Sequence, residues 1–217
     1  MKVGTDAVLL GGWVNVSGAK RILDIGTGCG IIALMIAQRA NEPTTIDAIE
    51  SEEADATQAT KNFLNSRWAN RVKVFHQPLQ EFKNTESYDL IVSNPPYFTN
   101  SQLPPTAHRA KARHTHSLNY QELLKYSVGM LTKKGRLAVV LPVEEGNQFV
   151  FLAKDHGLFC VRQLAFYSRK EKPQERWLFE FSAEEKSVIQ EMLVLHGEGE
   201  SWSGEYKRLT KEFYLKL

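Results

Sequence analysis

The sequence is poor in the features that would take it out of ordinary globular chemistry. It has two cysteines in 217 residues, Cys29 and Cys160, too few and too far apart for a disulfide framework. It has no apolar run near the roughly 20 residues that a bilayer span requires. Its start, Met1-Lys2-Val3-Gly4-Thr5-Asp6, has no signal-peptide pattern. The expectation is a cytoplasmic protein with no membrane partner and no obligatory protein partner. Net charge is only +2, so no global field draws it to nucleic acid. There is no internal repeat and no low-complexity tract. One absence is local. From Leu90 to Gln121 there is no Asp or Glu, while His108, Arg109, Lys111, Arg113, His114 and His116 fall inside the stretch. A generic basic loop is usually just solvated, so the meaning of this one depends on what it adjoins.

What is present is a core of adequate size. Hydrophobic residues are 42% of the chain and charged residues 24%, which suits one soluble domain over 1–217. Strand-like and helix-like segments alternate. Arg21–Ile25, Thr44–Glu50, Val72–His76, Tyr88–Ser93 and Arg136–Leu141 read as strands. Ile31–Arg39, Glu53–Asn65, Tyr120–Leu131 and Glu145–Asp155 read as helices. A Lys-Lys-Gly turn precedes the Arg136 strand. Such alternation predicts an α/β, Rossmann-like, mostly parallel sheet with helices on both faces. Beyond residue 157 the pattern changes. Leu158–Tyr167 and Arg176–Phe181 read as an antiparallel C-terminal hairpin, Met192–His196 as a short strand, and Ser203–Leu215 as a last helix. The basic cluster Arg169, Lys170, Lys172 and Arg176 lies at the hairpin tip. Glu171 and Glu175 interrupt it, so a solvated turn is at least as good a reading. Thr5 suits the N-cap of a helix through the apolar segment that follows it.

Two motifs carry chemistry. Asp24-Ile25-Gly26-Thr27-Gly28-Cys29-Gly30 puts a glycine turn between the first strand and its helix. Glycines let backbone bend sharply and approach a ligand, at the carboxyl end of a parallel strand where doubly wound sheets bind ligands. The dinucleotide fingerprint needs a glycine at 31, and Ile31 stands there. Glu50 ends the second strand, 20 residues after Gly30, where an acid accepts both hydroxyls of a ribose. Turn and acid together favour a nucleoside ligand over the bland alternative, a charge at a helix N-terminus. Asp24 orders the glycine loop or faces the ligand; an Asx contact serves equally.

The second motif is Asn94-Pro95-Pro96-Tyr97, which stops the fourth strand. An amino group on adenine, or an amide nitrogen, has a delocalised lone pair and is a poor nucleophile. The Asn94 side-chain oxygen and the Pro95 carbonyl are two acceptors for its two N–H groups. Proline stiffens this backbone and removes a competing N–H, and Tyr97 offers a face for a flat base. No metal is expected. The three histidines of the basic stretch have no acid or cysteine beside them. The bland reading, a rigid turn that ends a strand, loses ground because the glycine turn precedes it in the right order. Placed directly after Tyr97, the basic stretch at about 98–118 becomes a candidate RNA-phosphate surface, with Arg109, Lys111 and Arg113 as its contacts.

In this order, Gly4-Thr5-Asp6-Ala7-Val8-Leu9-Leu10, Asp24–Gly30, Ala48-Ile49-Glu50 and Asn94–Tyr97 resemble the class I S-adenosyl-L-methionine (SAM) dependent methyltransferases. More narrowly, the chain is similar over nearly its whole length to the bacterial tRNA1(Val) adenine-N6 methyltransferases, which modify adenine 37, 3′ of the anticodon. The ending Lys207-Arg208-Leu209-Thr210-Lys211-Glu212-Phe213-Tyr214 shares in the likeness. The resemblance implies a seven-stranded sheet with a reversed last strand, SAM as methyl donor, tRNA as substrate, and N6 methylation at Asn94–Tyr97. It implies a cofactor site of Thr5, Asp6, Asp24, Gly26, Thr27, Gly28, Gly30, Glu50 and Asn94, with Asp24 toward the methionine part. Two departures follow. Family members usually carry a basic, glycine- and aromatic-containing stretch ahead of the point where Met1 stands, so a preceding segment is expected. The acid that often follows the third strand is replaced by Gln77-Pro78, leaving the Gln77 side-chain oxygen to meet the SAM adenine. The competing readings are a release-factor-type protein glutamine methyltransferase, a ribosomal RNA or DNA amino-methyltransferase, and a SAM- and RNA-binding module without turnover.

Overall fold

The computed structural model describes residues 4–83, 85–97 and 119–214. The basic stretch, with Arg109, Lys111 and Arg113, lies outside the described residues. The chain opens with helix α1, Thr5–Trp13, followed by β1 (Arg21–Ile25), α2 (Ile31–Arg39), β2 (Thr45–Glu50), α3 (Glu53–Leu64) and β3 (Val72–His76). After β4 (Tyr88–Ser93) come α4 (Tyr120–Met130), β5 (Leu131–Pro142) and α5 (Val143–Asp155). The C-terminal part is β6 (Phe159–Tyr167), β7 (Arg176–Ser182), β8 (Ile189–Val194) and α6 (Gly204–Thr210).

The strands form one sheet in the order β3-β2-β1-β4-β5-β7-β6-β8. The first five are parallel. β7 runs antiparallel between β5 and β6, and β8 pairs parallel with β6. Among the described residues the sheet thus has eight strands, not the seven that the family resemblance implied. The extra strand, β8, lies at the sheet edge with only Leu193 buried. An edge strand with one wet face carries little hydrophobic alternation, so the sequence betrayed only its last residues.

Side chains that alternate along β4 go to opposite faces. Leu90 and Val92 join a cluster with α1, α2, α3 and α6, while Ile91 joins a second cluster with α4 and α5. This is the period-two geometry of a strand covered by helices on both sides. Helix α1 is buried from Ala7 through Trp13, so it is a core helix, not an amphipathic one. Its N-cap is Gly4, in extended conformation, and Thr5 is the first helical residue. The expected Thr5 cap is therefore off by one position. Asn119 starts α4 with a capping box, its side chain accepting the Glu122 N–H at 2.8 Å while the Glu122 carboxylate accepts the Asn119 N–H.

Two boundaries differ from those expected. β5 starts at Leu131, and Lys133-Lys134-Gly135 is an irregularity within the strand, not a turn before it. Tyr88 pairs with Leu131 and Leu90 with Arg136, so the register breaks there. A Cβ on Gly135 would meet the Tyr88 carbonyl oxygen at 2.8 Å, which is why glycine is found where the bulge folds back. The last helix is short, ending at Thr210. Its Ser203 N-cap accepts the Tyr206 N–H at 3.0 Å, and Tyr206 and Leu209 pack on the α1 side of the core.

The C-terminal strands are tied to α1 by a buried ionic network. Glu180 on β7 accepts from Arg136 at 2.9 Å, from Arg162 at 3.4 Å and from the Asn15 N–H at 2.7 Å. Arg162 also binds Glu191 at 2.8 Å and lies 4.3 Å over the Trp13 ring. Each buried carboxylate oxygen thereby has donors, without which its burial would be costly. The network holds β7 against α1, and this fixes where the start of β7 meets the start of α1.

Candidate functional site

The chain leaves β1 toward β2 in one direction and, later, β4 toward β5 in the other. The crevice between the carboxyl ends of β1 and β4 is therefore the switch point of the sheet, the usual ligand position in this architecture. A cavity of about 1060 Å³ opens there, large enough for a nucleoside-sized ligand and part of a second one.

Its first half is the glycine turn. Gly26, Gly28 and Gly30 have φ of 71°, 57° and 84°, conformations that L side chains rarely adopt. The Gly26 and Thr27 N–H groups donate to the Ile49 carbonyl at 2.9 and 3.0 Å, which ties the turn to β2. Gly30 is the α2 N-cap, and a Cβ there would meet the Phe63 ring at 2.4 Å. Glu50 is 7% exposed. One of its carboxylate oxygens accepts the Gly28 N–H at 2.8 Å and the other the Glu52 N–H at 3.0 Å. Each oxygen keeps a free lone pair while the group is held still.

Asp24 lies beneath this turn, fully buried. Thr27 Oγ1 donates to it at 2.6 Å, while its second oxygen makes no hydrogen bond among the described residues. Burial pushes the Asp24 carboxyl up to about 7, against the Thr27 bond and, after it, the Ala33 backbone amide, which favour its charged form. Nearby Glu50 adds to the rise. A buried acid with an unpaired oxygen next to a ligand cavity is a place where a cationic ligand group lowers the cost.

The second half is the Asn94–Tyr97 loop. Ser93 is buried and its hydroxyl donates to the Ile25 carbonyl at 2.8 Å, which joins the ends of β4 and β1. Asn94, Pro95, Pro96 and Tyr97 then line the same cavity as the glycine turn, from the end of the strand next to β1. The Tyr97 hydroxyl lies 3.1 Å from Asn94 Oδ1 and also donates to Asp6 Oδ2. Burial, and after it the Asp6 bond, push the Tyr97 phenol well above its ordinary range, so it stays protonated.

The expected site residues divide as follows. Asp6, Gly26, Thr27, Gly28, Glu50, Gln77 and Asn94–Tyr97 all line the one cavity. Thr5 is exposed, and Thr5, Asp24 and Gly30 stand outside its lining. Gln77 donates its backbone N–H to the Glu50 carbonyl at 3.0 Å. The structure also brings in a residue of the hairpin-tip cluster, for which a solvated turn is at least as good a reading from sequence. Arg176, at the start of β7, donates from Nε to Asp6 Oδ2 at 3.0 Å and lies 5.4 Å over the Tyr97 ring. The two partners are 170 residues apart, so no local pattern announces them.

Sheet order, glycine turn and switch-point cleft define a methyltransferase-type fold. A predicted O-methyltransferase from Agrobacterium tumefaciens superposes with a TM-score of 0.72, over 95% of this chain and 96% of that one, at 15% identity. At that identity the likeness concerns the fold alone. Residues 4–157 match the family model described as methyltransferase small domain. The chain is 42% identical over 217 residues to the tRNA1(Val) (adenine(37)-N6)-methyltransferase of Bacteroides thetaiotaomicron, covering all of this chain and 92% of that protein. It is 43% identical to the protein of the same name from Trichodesmium erythraeum, with the same coverage. The chain belongs to the tRNA1(Val) (adenine(37)-N6)-methyltransferase family.

Proposed function

We propose that the protein transfers a methyl group from S-adenosyl-L-methionine to the exocyclic N6 of adenine 37 in the anticodon loop of tRNA1(Val). The observation that carries this reading is the shared cavity, in which Asn94–Tyr97 and the Glu50–glycine-turn site face one space. The names of the full-length relatives support the acceptor.

The residues present fit the cofactor. Glu50, anchored by two backbone N–H groups, keeps lone pairs for both ribose hydroxyls. The glycines admit close backbone approach. Asp24, buried beneath the glycine turn, gains its charge more readily once the positively charged methionine end is near, and the Gln77 side-chain oxygen suits the adenine amino group. When bound, the cofactor supplies an electrophilic methyl group on a positively charged sulfur.

The remaining work falls to this chain. Asn94 Oδ1 and the Pro95 carbonyl accept the two N–H groups of the substrate amine and draw its lone pair out of the ring. Tyr97 supports the base by its face. Pro95 and Pro96 keep the two acceptors from drifting, so that the gain is one of orientation and fixed dipoles. The surplus proton leaves the product nitrogen for solvent. An anticodon-loop base is already unpaired, so little energy is spent in extracting it. Arg109, Lys111 and Arg113 are proposed to bind the RNA phosphates; their reversal to Glu is expected to abolish RNA binding while cofactor binding persists.

The test is methyl transfer from labelled SAM to the total RNA and, in parallel, to the protein extract of a strain lacking the activity. Label in tRNA1(Val) at adenine 37 supports the reading. Label in another RNA, label only in a protein glutamine, or no label in either fraction overturns it.

A further inference from the structure

The described acceptor site contains a conflict. Asn94 Oδ1 must accept a substrate N–H, yet the Tyr97 hydroxyl stands 3.1 Å from that same oxygen. A hydroxyl has one proton. If that proton pointed at Asn94, the base amino group would have to displace it. The structure provides a rival acceptor. Asp6 Oδ2 also receives the Tyr97 hydroxyl, and a carboxylate is a stronger acceptor than an amide oxygen.

Asp6 does not hold this position unaided. It sits in the first turn of α1 with its side chain 18% exposed, where water competes for it. Arg176 Nε binds the same Oδ2 at 3.0 Å. The guanidinium is steadied in turn by the Glu175 carbonyl, which accepts from Nη1 at 2.8 Å, and by the Tyr97 face below it. Burial works against the Arg176 charge, but the Asp6 bond, the Asp6 charge and Tyr97 together outweigh it and keep the cation firmly protonated. Three distant segments thus meet at one oxygen: the start of α1, the loop after β4, and the start of β7.

We propose that Asp6 and Arg176 are positioning residues that draw the Tyr97 proton away from Asn94 Oδ1 and leave this oxygen open to the amino group of the base. The proposal rests on the reading of Asn94 as the acceptor of a base amino group. It assigns the hairpin a part in the reaction, through Tyr97, without direct contact with the reacting atoms.

The test uses RNA binding without cofactor, so that cofactor affinity does not enter. Two anticodon stem-loops are compared, one with adenine and one with purine at the target position. Purine lacks the amino group, and all phosphate contacts are shared. The wild-type protein is expected to prefer adenine by about tenfold, the worth of one hydrogen bond to an otherwise unmet acceptor. Arg176→Met is expected to bring the ratio to about one. Tyr97→Phe keeps the ring and removes the proton, so Tyr97→Phe combined with Arg176→Met is expected to restore the preference. Arg176→Lys, which keeps the ion pair with Asp6, is expected to retain most of it. Asp6→Ala replaces Arg176→Met if the latter does not fold, with the same expectations.

An unchanged ratio in Arg176→Met overturns the proposal, since a merely structural role weakens both RNAs alike. So does a double variant that fails to recover the preference. A wild-type protein that binds adenine and purine equally contradicts the acceptor reading of Asn94 itself, and the proposal falls with it. That outcome is separate from the first two, which leave the acceptor reading standing.

Discussion

The two halves of the cleft are built by different means. The cofactor half is made of backbone. Three positive-φ glycines, a turn hung on the Ile49 carbonyl, and a glutamate fixed by two N–H groups form a site within residues 24–52. The acceptor half is made of side chains from distant segments, with Asp6, Tyr97 and Arg176 sharing one carboxylate oxygen. Backbone fixed by neighbouring turns is rigid before any ligand arrives. A side-chain cluster that spans 170 residues depends on the whole fold and is more easily retuned. The comparison predicts that changes in the two halves separate cleanly, with cofactor affinity following one and turnover the other.

The largest effect is expected in the acceptor half. Asn94→Ala should lower kcat on the order of a thousandfold, as loss of one fixed donor or acceptor at a reacting group does. Its cofactor affinity should fall by no more than about tenfold, the worth of the one contact that Asn94 offers the expected cofactor site, measured by calorimetry. A parallel loss in both quantities would break the separation.

Next comes Glu50→Ala, which removes the charged partner of the ribose. Cofactor affinity should fall about a hundredfold, as for hydrogen bonds to a charged group, while stem-loop binding is retained. Gly30→Ala sharpens the claim that the cofactor half is rigid backbone. With a φ of 84° and Phe63 at 2.4 Å from the added Cβ, it should cost about 2 kcal/mol of stability in denaturant unfolding. A neutral result would mean that the turn yields.

A separate effect, of pH on stability, concerns Asp24. Its folded-state value, about 7, lies above the ordinary 3.8. Between these two values the folded state keeps a proton that the unfolded chain has lost. Stability is therefore fully present below about pH 4, declines between about pH 4 and 7 by up to about 1.4 kcal/mol per pH unit, and levels off above that. Asp24→Asn should remove this slope, read from thermal midpoints between pH 4 and 8.

The same contrast explains what could be read in the sequence. The glycine turn, Glu50 and the Asn94–Tyr97 loop were legible because each is a short-range pattern placed at a strand end by alternation of strand and helix. The parallel half of the sheet followed from that alternation. β8 was seen only in part, because an edge strand with five of its six residues less than fully buried has a weak pattern. The bulge at Gly135 read as a turn because both need glycine there. The part played by Arg176 is not legible, since Glu171 and Glu175 beside it make a solvated turn at least as good a reading of its cluster. Its partnership with Asp6 exists only once β7 is laid beside β5 and held to α1 by Glu180.

The most direct test of the account is the chemical identity of the product. Purified protein, labelled SAM and tRNA1(Val) should yield, after nuclease digestion and mass spectrometry, N6-methyladenine at position 37 and no other labelled nucleoside, with the signal lost in Asn94→Ala. Label on another atom or base, or an undiminished signal from Asn94→Ala, would contradict the claim that this cleft holds an adenine amino group between Asn94 and Pro95.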